Sequence, residues 1–358
     1  MVNKRFWIPI IMVLVLSLVM VACSVDDPPG AENEETGTTN ADNNGKSEGN
    51  TESASNSDGP YTIGISLPAA DHGWMGALIT NAEEEAKKHN NIEYILYTAN
   101  DPNKQTSDIE DLITKGVDAI VMLPIESAAL TPAADKISES GIPLVVVDRE
   151  VNTENYRTYV GGDNYGIGFG DAKYLVEELI EKNGEPKGKV VEITGVPSSV
   201  TDLRSQGFRD YIENYPDIEI IASQPGDFTR EAALEATENI LQANPEIDAV
   251  YSQDDDMTIG IVQAIRDAQR QDEMFIVSSG GMKEIYQMIK ENQSPEVVVS
   301  LRYPPTMGAV GVNLAVKLLN GESLDGFWGE SIPHRVMLEA TPVTAENVDE
   351  YYDPDAIY

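Results

Sequence analysis

Short runs of β-branched and other apolar residues alternate with helix-length amphipathic segments from residue 61 to residue 358. This alternation is typical of repeated βα units around parallel sheets. The predicted strands form two sets, at 61–67, 92–98, 117–123, 143–147 and 158–161, and then at 189–193, 218–222, 249–251, 275–277 and 297–301. Between the sets, the turn-forming segment 161–164 breaks the rhythm and precedes a predicted helix. The sequence therefore predicts an α/β protein of two similar halves, in which ligands bind beyond the carboxyl ends of the strands.

The N-terminal segment has the pattern of a bacterial lipoprotein export signal. Lys4 and Arg5 precede an apolar run at 6–22, which ends before Cys23, the only cysteine. We expect residues 1–22 to be a signal peptide and Cys23 to carry lipid after cleavage; the alternative is an uncleaved anchor helix with an incidental cysteine. Both interpretations predict that the bulk of the chain lies outside the cytoplasm. With a single cysteine, no disulfide within the chain can stabilise the fold.

Residues 23–60 differ in composition from the rest of the chain. Asp, Glu, Asn, Ser, Thr and Gly dominate this segment, so it lacks the apolar surface that would offset its ordering entropy. We expect a disordered acidic linker that begins at the lipid-bearing cysteine. The whole chain has 61 acidic and 24 basic residues and a formal net charge of −37. This charge argues against binding to nucleic acid or to anionic lipid headgroups.

Several motifs at predicted strand ends occur in an order that resembles one known family. They are the segment 63–66 leading to Gly73-Trp74-Met75, the segments 142–149 and 162–164, Arg204 followed by Gly207-Phe208, and the segments 222–228 and 252–257. The family is that of the sugar-binding proteins of bacterial ABC transporters, typified by ribose-binding protein. Regulators similar to the lac repressor share the same body, but they begin with a DNA-reading helix-turn-helix, whose place the export signal and linker take here.

The resemblance implies the type 1 periplasmic binding protein fold. This fold consists of two doubly wound αβα lobes with parallel sheets, joined by a three-stranded hinge and closing over a ligand in the cleft. The implied N-terminal lobe comprises residues 61–162 and 303–331. The implied C-terminal lobe comprises residues 163–302 and 332–358.

The charged pair Asp148-Arg149 follows an apolar strand, where burial without polar partners would be costly. A sugar supplies such partners, because a carboxylate accepts from hydroxyls and a guanidinium donates to hydroxyl or ring oxygens. The alternative is a structural ion pair at the edge of the cleft. The resemblance implies ligand contact for this pair and for Arg204 of the second lobe.

Aromatic residues complete the pocket that the resemblance implies. Phe228 falls where the family stacks a ring on one face of the sugar, and Trp74, with Met75 beside it, falls where first-lobe residues cover the other face. His72 stands where ribose binders have Asn, and a neutral imidazole can donate or accept a hydrogen bond there. A place in the core is the alternative for the two rings, and a surface loop is the alternative for the histidine.

Three positions depart from the family pattern. Asp254 stands where Asn is common, Gly280 where Asp is common, and Arg302 where Gln is common. A lost carboxylate at Gly280 and a new one at Asp254 suggest that the hydrogen-bond acceptor has moved across the cleft. With Arg302, three candidate arginines face two candidate carboxylates, which raises an acidic sugar as an alternative to a neutral aldose.

The predicted function is ligand capture by lobe closure, without catalysis. A pentose- or hexose-type monosaccharide would be delivered to an ABC permease with a separate ATPase subunit. One alternative is a sugar or autoinducer sensor that presents its ligand to a chemoreceptor or histidine kinase. Another is a lipid-anchored glycoside hydrolase that uses the carboxylates at 254–256, although their place between a strand and a helix favours capping.

No catalytic residue, metal ion or cofactor is predicted. We expect a monomer on the extracytoplasmic face of the cell membrane, held there by lipid on Cys23. The location is either a Gram-positive surface or a periplasm.

Overall fold

The computed structural model describes residues 60–324 and 331–358. The predicted signal peptide, Cys23 and the linker up to residue 59 lie outside these residues. The elements run in the order β1 (Tyr61–Pro68), α1 (Gly73–Lys88), β2 (Ile92–Ala99), α2 (Pro102–Lys115), β3 (Ala119–Met122), α3 (Ser127–Glu139), β4 (Leu144–Val147), β5 (Thr158–Gly162), α4 (Asn164–Asn183), β6 (Gly188–Thr194), α5 (Ser199–Ile212), β7 (Ile218–Pro225), α6 (Arg230–Ala243), β8 (Ala249–Ser252), α7 (Asp255–Asp267), β9 (Phe275–Gly280), α8 (Lys283–Glu291), β10 (Glu296–Arg302), α9 (Met307–Asn320), β11 (Arg335–Leu338), β12 (Thr341–Val343) and α10 (Val348–Tyr351).

The strands form two six-stranded sheets, one for each lobe. Their orders are β11-β5-β4-β3-β1-β2 and β12-β10-β9-β8-β6-β7. Every pairing is parallel except that of β12 with β10, which is antiparallel. The two predicted sets of strands are confirmed, whereas β11 and β12 were not predicted and the second sheet is not wholly parallel. This architecture agrees with the two-lobed α/β fold that the resemblance implied.

Three chain segments connect the lobes. They lie between β5 and α4, between β10 and α9, and between β11 and β12. The predicted boundary at 331/332 was wrong, because β11 pairs in register with β5 of the first sheet, as in Arg335 opposite Tyr159. The third crossing therefore falls at residues 339–340. The half-exposed β11 has too weak an apolar pattern to mark it as part of that sheet.

Helices cover both faces of each sheet, so the central strands are buried. β3, β4 and β8 are buried at every residue, as expected for parallel strands between two helical layers. Because successive βα units repeat the same direction, the carboxyl ends of the strands and the N-termini of the following helices gather at one edge of each sheet. The two edges face each other across the cleft and supply the site.

Candidate ligand site between the lobes

The two lobes are in direct contact across the cleft. The Trp74 backbone N–H of the first lobe donates to Asp256 Oδ2 of the second at 3.3 Å. On another part of the cleft, Ser199 N–H donates to Ser127 Oγ at 3.0 Å, and Glu150 N–H donates to Ser199 Oγ at 2.8 Å. Hydrogen bonds between the lobes at both places indicate a closed conformation.

A narrow cavity of about 20 Å³ lies between the closed lobes. It is lined by His72, Trp74, Asp148, Arg149, Val200, Arg204, Phe228, Asp254 and Tyr303. Its two aspartates and two arginines are each at most 6% exposed. The structure thus brings together seven of the nine residues predicted for the ligand site, and it adds Val200 and Tyr303.

The pair Asp148-Arg149 follows β4 at the floor of the cavity. Asp148 has a left-handed backbone with φ of 63°, a conformation that costs a non-glycine residue about 1–2 kcal/mol and tends to occur at functional sites. The Tyr159 hydroxyl holds it by donating to the Asp148 carbonyl at 2.7 Å. Arg149 Nη1 donates to the Ile125 carbonyl at 2.6 Å. Arg149 Nε lies 3.8 Å from Asp148 Oδ2, too far for a hydrogen bond, and has no partner among the described residues.

Burial dominates the electrostatics of Arg149. Removing the guanidinium from water lowers the pKa of Arg149, and the nearby Asp148 carboxylate opposes this effect. A buried guanidinium with an unused N–H is expected to gain a partner. A molecule bound in this cavity can supply that partner.

Tyr303 ties the Asp148 carboxylate to the hinge. Its hydroxyl donates to Asp148 Oδ1 at 2.5 Å and accepts from Asn164 Nδ2 at 3.2 Å. Asn164 Oδ1 in turn accepts from Arg204 Nε at 2.9 Å, and the Arg204 guanidinium lies 4.6 Å from the centre of the Tyr303 ring. The network joins both lobes at two of the three crossings. Burial, together with the Asp148 charge, raises the pKa of Tyr303 and keeps its hydroxyl protonated.

Helix α5 presents Arg204 to the cavity. Ser198 caps this helix by accepting from the Thr201 backbone N–H. Val200, Arg204 and Phe208 are all buried, and their spacing of four residues puts them on one face of the helix. Arg204 Nη1 also donates to the Gln253 carbonyl at the end of β8. The second-lobe arginine is therefore held in position before any ligand binds.

Aromatic rings line opposite sides of the cavity. The rings of His72 and Phe228 are 6.3 Å apart, and Trp74 lies next to His72 with its indole N–H donating to the Tyr303 carbonyl at 2.7 Å. Phe228 has a φ of 61°, a second left-handed residue in the site. A Cβ built on Gly195 would lie 1.9 Å from Phe228 Cζ, so this ring position requires glycine at residue 195.

Charged groups accumulate where α7 begins. Burial and the neighbouring Asp256 raise the pKa of Asp254 to about 7. Burial alone lowers the pKa of His72, but the hydrogen bond from its Nδ1 to Asp71 Oδ1 at 2.5 Å and the Asp254 charge outweigh that effect and raise it. Near neutral pH, Asp254 therefore changes charge readily and can donate or accept a hydrogen bond, whereas the raised pKa of His72 favours its protonated form.

The other carboxylates at the start of α7 are fully engaged within the protein. Asp255 accepts from Ser278, Ser300 and the backbone N–H groups of Gly281 and Met282. Asp256 accepts from Arg230 as well as from Trp74. Within residues 60–324 and 331–358, no group of three or more His, Cys, Asp or Glu side chains is arranged to hold a metal ion.

Two predicted site residues lie elsewhere. Met75 is completely buried in the core of α1 and does not line the cavity. Arg302 is exposed at the end of β10 and lies over the Tyr351 ring, 5.9 Å from its centre. Successive side chains of a strand point to opposite sides, so the next residue, Tyr303, is the one that enters the site. Without Arg302, the lining has two arginines and two aspartates, and the arginine behind the predicted excess of positive charge lies outside it.

No helix within residues 60–324 and 331–358 is both long and apolar enough to cross a membrane.

Comparisons with known proteins agree with this architecture. A family model described as "Periplasmic binding protein domain" matches residues 63–323. The chain is 30% identical over 315 residues to the ribose import binding protein RbsB of Bacillus subtilis. This alignment covers 87% of this chain and 93% of that protein. It is 32% identical over 244 residues to the galactofuranose-binding protein YtfQ of Escherichia coli. That alignment covers 66% of this chain and 76% of that protein.

The fold also matches a solved structure, the fructose-binding periplasmic domain of a hybrid two-component system. The TM-score is 0.73 at 27% identity, over 81% of this chain and 92% of that chain. The names of these three relatives describe binding proteins, and this agrees with the prediction that the chain is not an enzyme. Because the family model covers well over half of the sequence, the chain belongs to the periplasmic binding proteins.

Proposed function

We propose that this protein captures a monosaccharide outside the cytoplasm and delivers it to the membrane permease of an ABC importer. Lipid on Cys23 would hold it, as a monomer, at the outer face of the cell membrane. A separate ATPase subunit in the cytoplasm would power transport. The ribose and galactofuranose binding proteins among its relatives support a sugar as the cargo.

One observation carries the proposal above the others. The closed lobes bury Asp148, Arg149, Arg204 and Asp254 around one cavity, and Arg149 Nε there has no hydrogen-bond partner among the described residues. Buried charged groups are stable only with hydrogen-bond partners. A polyhydroxylated ligand supplies several such partners at once, while its C–H faces pack against rings such as Phe228.

The place of Arg302 outside the cavity favours a neutral sugar over an acidic one. The acidic alternative depended on Arg302, whose side chain is exposed outside the cavity. Two aspartates and two arginines remain in the lining. A sugar carboxylate would add a negative charge near the buried Asp148 carboxylate, at a cost that a neutral aldose avoids.

Ligand capture would work by a shift in population between open and closed lobes. Sugar that contacts Asp148 and Trp74 of one lobe and Arg204 and Phe228 of the other binds the closed form more strongly than the open form. The ligand therefore moves the equilibrium towards closure by this difference in affinity. The permease would then recognise the closed form.

Isothermal titration calorimetry of the full chain in detergent tests this proposal with D-ribose, D-fructose, D-allose, D-galactose, myo-inositol and D-glucuronate. We expect one neutral sugar to bind, and Asp148→Ala and Arg204→Ala each to weaken binding at least tenfold. Arg302→Ala is the matched control, because it removes an arginine outside the cavity and should leave the affinity unchanged. Binding of D-glucuronate alone would overturn the neutral-ligand assignment, and binding unaffected by Asp148→Ala and Arg204→Ala would overturn the site.

A sensor role is the second candidate, favoured by the match to the fructose-binding domain of a hybrid two-component system. Uptake of radiolabelled sugar by cells that lack or express the chain separates the two functions. Transport predicts that uptake is lost with the protein. A sensor predicts unchanged uptake together with loss of the sugar-dependent transcriptional response.

The lipid anchor has its own test. Cells grown with radiolabelled palmitate should label the wild-type chain and not the Cys23→Ala variant. An equally labelled variant would exclude Cys23 as the lipid attachment site.

A further inference from the structure

Gly73, at the start of α1, is a point of contact between the lobes outside the cavity lining. A Cβ built on Gly73 would lie 3.2 Å from Asp256 Oδ2 and 3.3 Å from Tyr358 Cδ2. Gly73 belongs to the first lobe, whereas Asp256 begins α7 and Tyr358 follows β12 and α10 in the second lobe. Two side chains of one lobe thus pack on a single glycine of the other.

Asp256 supplies a helix cap across the cleft. His72, the N-cap residue of α1, makes no capping hydrogen bond with its side chain, so the first N–H groups of this helix need another acceptor. Asp256 Oδ2 accepts from the Trp74 N–H at 3.3 Å, while Arg230 holds Oδ1 through two donors at 3.1 and 3.2 Å. A carboxylate at a helix N-terminus is also favoured by the helix dipole. Opening the lobes would remove this cap.

Tyr358 fills a space that the second lobe leaves beside the same glycine. Its side chain is 7% exposed, and a Cβ built on Gly280 would lie 2.7 Å from its hydroxyl oxygen. Because Gly280 has no Cβ, it leaves room for the Tyr358 hydroxyl. Its φ of 154° also favours glycine at this position. The hydroxyl has no hydrogen-bond partner among the described residues, and the preceding segment is tied to α8 by Lys283 Nζ, which donates to the Ala356 carbonyl at 2.7 Å.

Gly73 stands between two cavity residues, His72 and Trp74. Whatever fixes Gly73 against the second lobe also fixes the imidazole and the indole relative to Arg204 and Phe228. We propose that Asp256 and Tyr358 form an interlobe latch on Gly73, which positions His72 and Trp74 and favours the closed lobes even without ligand. Its effect on sugar affinity rests on the proposed function, but its effect on lobe closure does not.

Distances between spin labels test the latch without any ligand. The full chain with Cys23→Ser carries labels on Ala129→Cys in α3 and Gln206→Cys in α5, two exposed positions in different lobes. The chain with the native Tyr358 should show mainly the short distance of the closed lobes. Tyr358→Ala should move most of the population to longer distances.

Two further variants of the same segment separate the latch from general effects on folding. Tyr358→Phe should retain the short distance, because it removes only a hydroxyl that has no partner. Tyr352→Ala is the matched control: it removes an aromatic ring of the same segment that packs near Lys290 instead of Gly73.

Should Tyr358→Ala fail to fold, Asp256→Asn is the substitute, since Asn keeps the shape but lacks the charge towards α1. Unchanged distances in the folded Tyr358→Ala or Asp256→Asn protein would overturn the latch, and so would open lobes in the chain with both native residues.

The affinity for D-ribose gives the second readout. If the closed fraction falls about tenfold in Tyr358→Ala, the apparent dissociation constant should rise about tenfold, whereas Tyr358→Phe should stay within about twofold. If no sugar binds the wild-type chain but Tyr358→Ala still opens the lobes, the proposed function fails and the latch stands. If sugar binds and Tyr358→Ala changes neither distance nor affinity, the latch fails and the proposed function stands.

Discussion

Replacing Asp254 by asparagine should remove part of the pH dependence of the free energy of unfolding. Asp254 is buried in the cavity lining, and burial with the Asp256 charge raises its pKa from 3.8 to about 7. Between these two values, the folded protein holds a proton that the unfolded chain has released. Stability due to this group is therefore full below about pH 4 and is lost as the pH rises towards and through 7.

The size of the effect follows from the shift. A difference of about three pKa units corresponds to about 4 kcal/mol as an upper limit. Asparagine cannot titrate but keeps the cap of α7. Asp254 Oδ1 accepts from the Asp256 N–H at 2.8 Å, and the side-chain oxygen of asparagine can accept the same hydrogen bond. Asp254 also raises the pKa of His72, and a raised histidine pKa likewise gives stability that is lost as pH rises. Both contributions therefore act in the same direction.

Urea denaturation of the wild type and Asp254→Asn from pH 4 to pH 8.5 measures the difference. We expect equal free energies of unfolding near pH 4 and a growing advantage of the variant, reaching a few kcal/mol, near pH 8. Asp267→Asn, at the exposed end of the same helix α7, should show the wild-type profile. Parallel curves for Asp254→Asn and wild type across this range would refute the reasoning.

Two further substitutions test the geometry of the site. Tyr303→Phe removes the hydroxyl that donates to the Asp148 carboxylate, so urea denaturation should show a loss of about 1.5–3 kcal/mol; an unchanged free energy of unfolding would mean that this hydrogen bond contributes nothing. Gly195→Ala puts a methyl group where the Phe228 ring lies, so calorimetry should show at least tenfold weaker sugar binding. Wild-type affinity in that variant would show that the ring position is not needed for binding.

The sequence predicted the strands well because most of them are buried on both faces. β3 and β4 are continuous apolar runs, a strong signal that needs no knowledge of their neighbours. β11 and β12 are only four and three residues long, and β11 is half exposed. Their existence depends on pairing with β5 and β10 at the hinge, and this tertiary contact leaves little trace in a local pattern.

Prediction of the site was most successful where a side chain directly follows a buried strand. Asp148, Arg149 and Asp254 come at strand ends and line the cavity. Prediction was less successful at the second crossing, where Arg302 is exposed and Tyr303 enters the cavity. A shift of one residue at the end of a strand turns a side chain to the opposite side. The sequence signal that could have identified Tyr303 is an aromatic residue beside two prolines at a hinge, which is weak by itself.

The environment of Gly280 shows why a pocket cannot be derived from substitutions taken one at a time. Glycine in place of an acidic residue suggested that an acceptor had moved across the cleft to Asp254. Instead, the space beside Gly280 contains the Tyr358 hydroxyl and the Asp255 carboxylate, with a built Cβ lying 2.7 Å from the former and 2.9 Å from Asp255 Cβ. Tyr358, which lies 78 positions after Gly280 in the chain, thus occupies the space that a side chain at residue 280 would fill. Asp254 need not replace the missing carboxylate, and its raised pKa lets it donate to a sugar oxygen as well as accept from a hydroxyl.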